Sequence, residues 1–497
     1  MLSMPASLSG ARRVRGGCRV AATMADAGGR AHVAALVKRL APGRSAAEQA
    51  EAAHVLARLC SDKSRNKGYV RECGGVVALV ALLAPGSAPA AQEQAAAALG
   101  YLCHKNTRNQ GSLRECGGIA ALVALLAPGG AAAVQEWAAA ALGNLCIESA
   151  DNQSTASQDS VRACGGVAAL VALLAPDCSA RAQQLAANAL GNLCWYNSQN
   201  QDSVRACGGV AALVGLLAPG GSAAGRTVAA RALRDLCRSS TQTQDYIREC
   251  GGVAALVGLL APGGTDAVHE QAAGALGNLC CDKIQNRDSV RECGGVAALV
   301  GLLAPGGSAA VHEQAAKALC NLCVGSPQNR DGVRECGGMA ALAGLLAPGG
   351  SDAVRVNAAW ALRSVCCEST QNQHSMRGCG GVAALIGLLA PGSSAAVREQ
   401  AAAALFELCF VSAQSRDAVR ECGGVAALVG LLARACPAAV HEHAAGALVS
   451  MTGESGRGRD AVRACGGVAA LECVRACAGS AMAREWAAVA LRNLARV

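Results

Sequence analysis

The chain has 497 residues, is 52% hydrophobic but only 2% aromatic, and carries a net charge of +9. No apolar run reaches the roughly 18 residues of a membrane-spanning helix, and so mild a charge over this length does not by itself point to nucleic acid. A core must be built from Ala, Val, Leu and the 27 cysteines.

From the N-terminus, residues 1–29 read as a basic, disordered arm. Its first 25 residues hold Arg12, Arg13, Arg15 and Arg19 and no acidic residue. The apolar stretch of a secretory signal is missing, whereas an Arg-rich, acid-poor start also matches an organelle transit peptide. Leu2 excludes N-myristoylation from this start.

From residue 30 to 497 the chain reads as one continuous repeat array. A Cys-Gly-Gly triplet recurs at Cys73, Cys116, Cys164, Cys207, Cys250, Cys293, Cys336, Cys379, Cys422 and Cys465. The spacing is 43 residues throughout except for one of 48. An eleventh unit, His32 to Cys60, is in register without the triplet. The five extra residues fall in 147–160, a polar stretch expected to be an enlarged surface loop. A fixed period of this size means stacked supersecondary units, each unable to bury its apolar face alone.

One unit, from Asn286 to Cys323, predicts three helices. "NRDSVREC" is a short first helix, with Asp288 and Arg291 placed as the helix dipole prefers. Gly294 and Gly295 should stop it in left-handed conformations. "VAALVGLLA" is an apolar second helix, expected to be buried on most sides and ended by Pro305. "SAAVHEQAAKALCNLC" is an amphipathic third helix, apolar at Val311, Ala315, Ala318, Leu319 and Leu322.

This wording resembles the armadillo repeat family: an Asn near the start, then a Gly-Gly-Val-Ala-Ala-Leu-Val core, then a helix closing on Ala-Leu-x-Asn-Leu. The resemblance implies an all-α fold, a right-handed solenoid of about eleven three-helix repeats, with third helices lining a concave groove. It also implies a non-catalytic scaffold that binds other proteins as extended or disordered segments. It is a poor match to importin-α, because only Trp360 occupies that subfamily's Trp slot and Ser364 stands where its Asn would be. It is equally poor for β-catenin, whose groove is strongly basic; here Arg58, Arg231 and Lys317 face Glu51, Asp235 and Glu407.

Copies compared with one another vary most at 21, 24 and 28 residues after the marker Cys, one face of the third helix. That face includes Trp137, Gln271, Gln314 and Trp360, and it ends on Asn144, Asn192, Asn278, Asn321 and Asn493. By resemblance these asparagines would hold the backbone of a bound peptide, since an amide both donates and accepts. The alternative is an Asn bonded to the neighbouring helix. Pockets beside Trp137 and Trp360 would supply further affinity.

An Arg two residues before each marker Cys forms a second ladder. Seven have an Asp three residues earlier, which predicts i,i+3 pairing. A polyanion or membrane-surface binder using this ladder and the basic arm is the alternative function. The cysteines before Gly-Gly and those ending the third helices read as small buried hydrophobes in a reducing compartment. No catalytic motif is present: "HEQAA" lacks the second His of a zinc-protease helix and "PGGSAA" lacks the Lys of a phosphate loop. Neither a cofactor, a metal nor a small-molecule substrate is expected. The scarcity of aromatic platforms argues against nucleic acid. A monomer in the cytoplasm, with the nucleus or an organelle as open alternatives, is the expected setting.

Overall fold

The structure is a computed structural model. It describes residues 18–496 apart from 63, 148–154, 239, 435, 454 and 478, with backbone only for 18–28 and 62. The described residues form 32 α-helices. Residues 148–154 of the expected enlarged loop and the first 17 residues of the basic arm lie outside the described residues. From Ala156 the stretch is already helix (Ala156–Ala163), so the loop is shorter than expected, and the first helix of the chain begins at Cys18.

Ten helix triplets follow an initial pair. In the unit taken as example the helices are Ile284–Glu292, Gly295–Gly301 and Ala309–Cys323. The boundaries follow from local chemistry. Ser326 starts the next first helix by accepting the N–H of Asn329, and Ser308 starts the third by accepting the N–H of Val311. Each satisfies an N–H that the helix itself cannot.

The two glycines of the triplet act differently from each other. Gly294 is left-handed (φ 78°), but Gly295 is already the first residue of the second helix. The expectation that both stop the first helix is therefore corrected. In the N-terminal unit Ala31 and His32 stand at these two positions, and Cys18–Arg39 runs as one unbroken helix.

The chain divides into two compact units, residues 1–193 and 194–497. In the first, the third helix Ala46–Asp62 packs on Pro89–Cys103, which packs on Ala132–Leu145. In the second, Ala223–Leu236, Asp266–Leu279, Ala309–Cys323, Asp352–Cys366, Ala395–Val411, Ala438–Gly453 and Ala481–Leu494 pack side by side in that order. This is an all-α solenoid. All five apolar positions expected on the third helix are buried. Each buried Leu contributes about 2 kcal/mol.

Two burial expectations are corrected. The second helix has an open side, because Ala297 and Gly301 are exposed. Their small side chains tolerate water, so a wholly apolar composition conceals an amphipathic helix. The cysteines divide as well. The nine that end third helices are all buried, whereas the ten before Gly-Gly are half-buried or exposed. The latter cap the first helix at the surface, beside the left-handed glycine.

Candidate functional site

The third helices present the variable face, and the structure shows what its asparagines do. The Nδ2 of Asn192, Asn278 and Asn321 donates to the backbone oxygens of Gly143, Arg234 and Gly277, at 3.0, 2.9 and 2.9 Å. Each acceptor lies on the preceding third helix. Asn493 donates to Thr452 Oγ1 at 3.4 Å. Asn144 stands beside Gly100, where an added Cβ would be 3.5 Å from its Nδ2. At Asn192, Asn278 and Asn321 one amide N–H therefore ties neighbouring third helices. Among the described residues nothing hydrogen-bonds the side-chain oxygen of Asn278 or Asn321. An amide held at one N–H has a fixed orientation for its remaining donor and acceptor.

The other expected residues lie on the same face with local partners. Gln271 accepts from Arg234 at 3.1 Å and donates to Glu270. Gln314 donates to Glu313 at 3.4 Å. Trp137 is half-buried and meets Tyr101 with ring centroids 6.1 Å apart. Trp360 is 38% exposed.

A cavity of about 240 Å³ opens beside Trp360. Its walls include Val324, Arg363, Ser364, Cys367 and Glu407. Ser364 shares a contact with the sulfur of Cys320 at 3.2 Å. Burial first, and then the Glu407 carboxylate that faces it, push the Cys367 thiol up. Further along the face, Phe406 meets Trp486 at 4.7 Å and stacks on His443 at 6.4 Å. Burial and then the Arg363 charge depress the proton affinity of His443.

Glu407 is read from the sequence as a groove charge, but Arg363 escaped the residue-by-residue reading, although a signal was present. Arg363 occupies the place of Gly100, Gly143 and Gly277 in other repeats. A Cβ at those glycines would stand only 3.2–3.3 Å from a Cα of the next third helix. The glycines let the helices approach closely, so a long side chain at that slot must turn outward and line a cavity.

The Arg ladder is internally engaged. All seven predicted pairs form: Arg162, Arg205, Arg248, Arg291, Arg334, Arg420 and Arg463 each lie 2.9–3.8 Å from the Asp three residues earlier. Arg71, Arg248 and Arg334 also reach one repeat forward, to the side-chain oxygens of Asn109, Asn286 and Asn372 at 3.0–3.2 Å.

A buried polar ladder runs beneath. Asn286, Asn329 and Asn372 donate to backbone oxygens seven residues earlier, at the ends of third helices. The next residue bridges two repeats. Gln244 donates to Cys237 O and Asn278 O. Arg287 donates to Cys280 O, Cys281 O and Val324 O at 2.7–2.8 Å. These side chains satisfy carbonyls that a helix end leaves bare. Arg287→Gln should therefore cost less than about 1 kcal/mol, while Arg287→Met should cost about 2 kcal/mol by stripping buried carbonyls of donors. Urea unfolding of the two variants checks this; equal losses would refute the bridging role.

The histidines of "HEQAA" have a comparable job. His269 and His312 contact the oxygens of Ala261 and Ala304 at 3.2 and 3.1 Å, and Gln135 and Gln183 serve Ala127 and Ala175 in the same way. Each of these alanines precedes a proline, and so the side chain caps the turn.

Among the described residues no helix is long and apolar enough to cross a membrane, and no group of three or more His, Cys, Asp or Glu is placed to hold a metal.

The family model for the armadillo/β-catenin-like repeat matches residues 63–104, 106–147, 240–281, 283–324 and 326–367. No curated protein matches the chain. Among solved structures, an engineered protein from the Northeast Structural Genomics Consortium is 30% identical, with a TM-score of 0.74. The match covers 84% of this chain and 98% of that one. A second engineered protein from the same consortium is 28% identical over 50% of this chain and 96% of its own, with a TM-score of 0.46. The recurring helix triplet, the five matched repeats and the near-complete span of the first engineered structure agree: the chain belongs to the armadillo repeat family.

Proposed function

We propose that the chain is a non-catalytic scaffold that binds extended segments of partner proteins along the third-helix face. Armadillo solenoids generally serve as protein-interaction scaffolds. The observation that carries it is the pair of pre-oriented amides at Asn278 and Asn321, each anchored by one N–H with its oxygen left over. A peptide N–H can bond such an oxygen without first ordering the side chain, which lowers the cost of binding. The diversity of the surrounding positions over a constant framework supports the same reading, since pockets rather than backbone bonds supply specificity.

The test is a comparative pull-down. An Asn278→Ala/Asn321→Ala variant also loses two inter-helix bonds, so Lys317→Glu/Trp360→Ala, which leaves those bonds intact, is run beside it. Partners captured by the wild type should be lost from both variants while circular dichroism stays unchanged. Capture of the same partners by both would sink the reading.

The polyanion reading has less support, because the ladder arginines already meet carboxylates and side-chain amides. If it were right, capture would collapse steeply between low and moderate salt.

A further inference from the structure

We infer that the cavity beside Trp360 receives a tyrosine side chain. Its size, about 240 Å³, falls below the range of roughly 300–1,000 Å³ usual for small-molecule sites, which suits a single side chain. Trp360 and Val324, both exposed, offer apolar surface to that occupant. The polar groups select its tip. Among the described residues the Arg363 guanidinium makes no ion pair and no hydrogen bond. Glu407 makes no ion pair either, and its carboxylate meets only the Cys367 thiol.

Arg330 also lines the cavity, but its guanidinium is taken up by the Cys323 and Cys367 carbonyls and by Glu368. The two charges left over, Arg363 and Glu407, are opposite in sign. A carboxylate occupant would gain from Arg363 and be repelled by Glu407; an ammonium or guanidinium occupant would meet the reverse. A neutral group that both accepts and donates uses both. A phenol does this: its oxygen accepts from the Arg363 guanidinium while its O–H donates to Glu407. Its ring packs on the Trp360 indole in the offset or edge-on arrangement aromatic pairs prefer. A primary amide offers the same donor and acceptor but no ring, and phenylalanine offers the ring without them. That the tyrosine belongs to a groove-bound segment rests on the functional reading above. The preference of the cavity itself does not.

The experiment uses the full chain with 15N-labelled tryptophan. The Trp360 indole signal is assigned by Trp360→Phe. The probes are the N-acetyl amides of tyrosine, phenylalanine, glutamine, glutamate and arginine. The tyrosine probe should move the Trp360 signal and bind about tenfold tighter than the phenylalanine probe, because a site built to bond a hydroxyl discriminates against the analogue lacking it. Glu407→Gln keeps an acceptor and should retain the preference; Glu407→Leu should weaken it, and Arg363→Met/Glu407→Leu, which removes both polar partners of the phenol, should abolish it and leave the two aromatic probes equal. Tighter binding of the glutamate, arginine or glutamine probe overturns the assignment. Equal binding of the two aromatic probes to wild type overturns it also, as does an unmoved Trp360 signal with every probe.

The Asn278→Ala/Asn321→Ala variant should still bind the tyrosine probe. A chain that discriminates for tyrosine but whose partners ignore the asparagines keeps the pocket and loses the groove. One that loses partners without the tyrosine preference keeps the groove and loses the pocket.

Discussion

Replacing Gly295 with alanine is expected to destabilise the protein by about 3 kcal/mol, near the top of the range for overpacking a filled core. An added Cβ there would lie 2.5 Å from Val290 Cγ1 and 2.7 Å from the Val290 backbone oxygen. The side chain could rotate away, but the carbonyl is held in the first helix and cannot move without distorting it. The neighbouring Gly294→Ala change meets nothing within 4 Å. Its penalty is conformational: φ is 78°, and a Cβ in the left-handed region costs about 1–2 kcal/mol. The two substitutions are one residue apart in an identical sequence motif, yet the second glycine should be the costlier by a clear margin. Hydrogen exchange of amides in 283–324, compared between the two variants, reads the difference locally, which suits a repeat array whose units open separately. Equal protection losses, or a greater loss for Gly294→Ala, would defeat the steric account.

The same pair of glycines shows what could be read from the chain and what could not. The 43-residue period, the helix triplet and the apolar positions of the third helix were legible because each recurs in register with a helical spacing. The seven Asp–Arg pairs were legible because both partners lie on one turn of one helix. Contacts that cross between repeats were not. Arg248 bonding Asn286, and Asn321 bonding Gly277, join residues 38 and 44 apart, and no local periodicity marks them. Holding a peptide and tying a helix are compatible roles for these asparagines, because an amide has enough hydrogen-bonding groups for both: at Asn278 and Asn321 one N–H is tied to the preceding third helix and, among the described residues, the side-chain oxygen has no partner. The marker cysteines misled for a related reason. A small apolar residue in an invariant position looks like core, but these cap a surface helix, and their regularity tracks the turn that follows rather than burial.

Asp235 leads to the other large effect expected. It stands in the ladder slot that Asn278 and Asn321 fill in later repeats, and it is only 4% exposed. Burial raises its carboxyl from an ordinary 3.8 to about 6, against the opposing pull of Arg231, Arg234 and Arg238. Arg231 is itself buried enough for its proton affinity to fall. The folded state therefore holds a proton on Asp235 that the unfolded state has released, and stability must decline as pH rises through this window. The contribution is fully present below about pH 4 and gone above about pH 6. A shift of this size corresponds to about 3 kcal/mol. Asp235→Asn removes the titration and supplies the amide other repeats use. The stability difference, variant minus wild type, should grow by about 3 kcal/mol between pH 4 and pH 7 and then level off. Burial depresses the proton affinity of His104 and His443, which gives them the opposite dependence, with stability lost on acidification. Both histidines are common to the two proteins and cancel in the difference. Urea unfolding midpoints of both proteins at a series of pH values measure it. A difference that shrinks as pH rises would mean that the arginines outweigh burial and hold Asp235 ionised. In that case Asp235 stabilises the folded chain as the counter-charge to its arginines, and its departure from the Asn pattern is a structural choice.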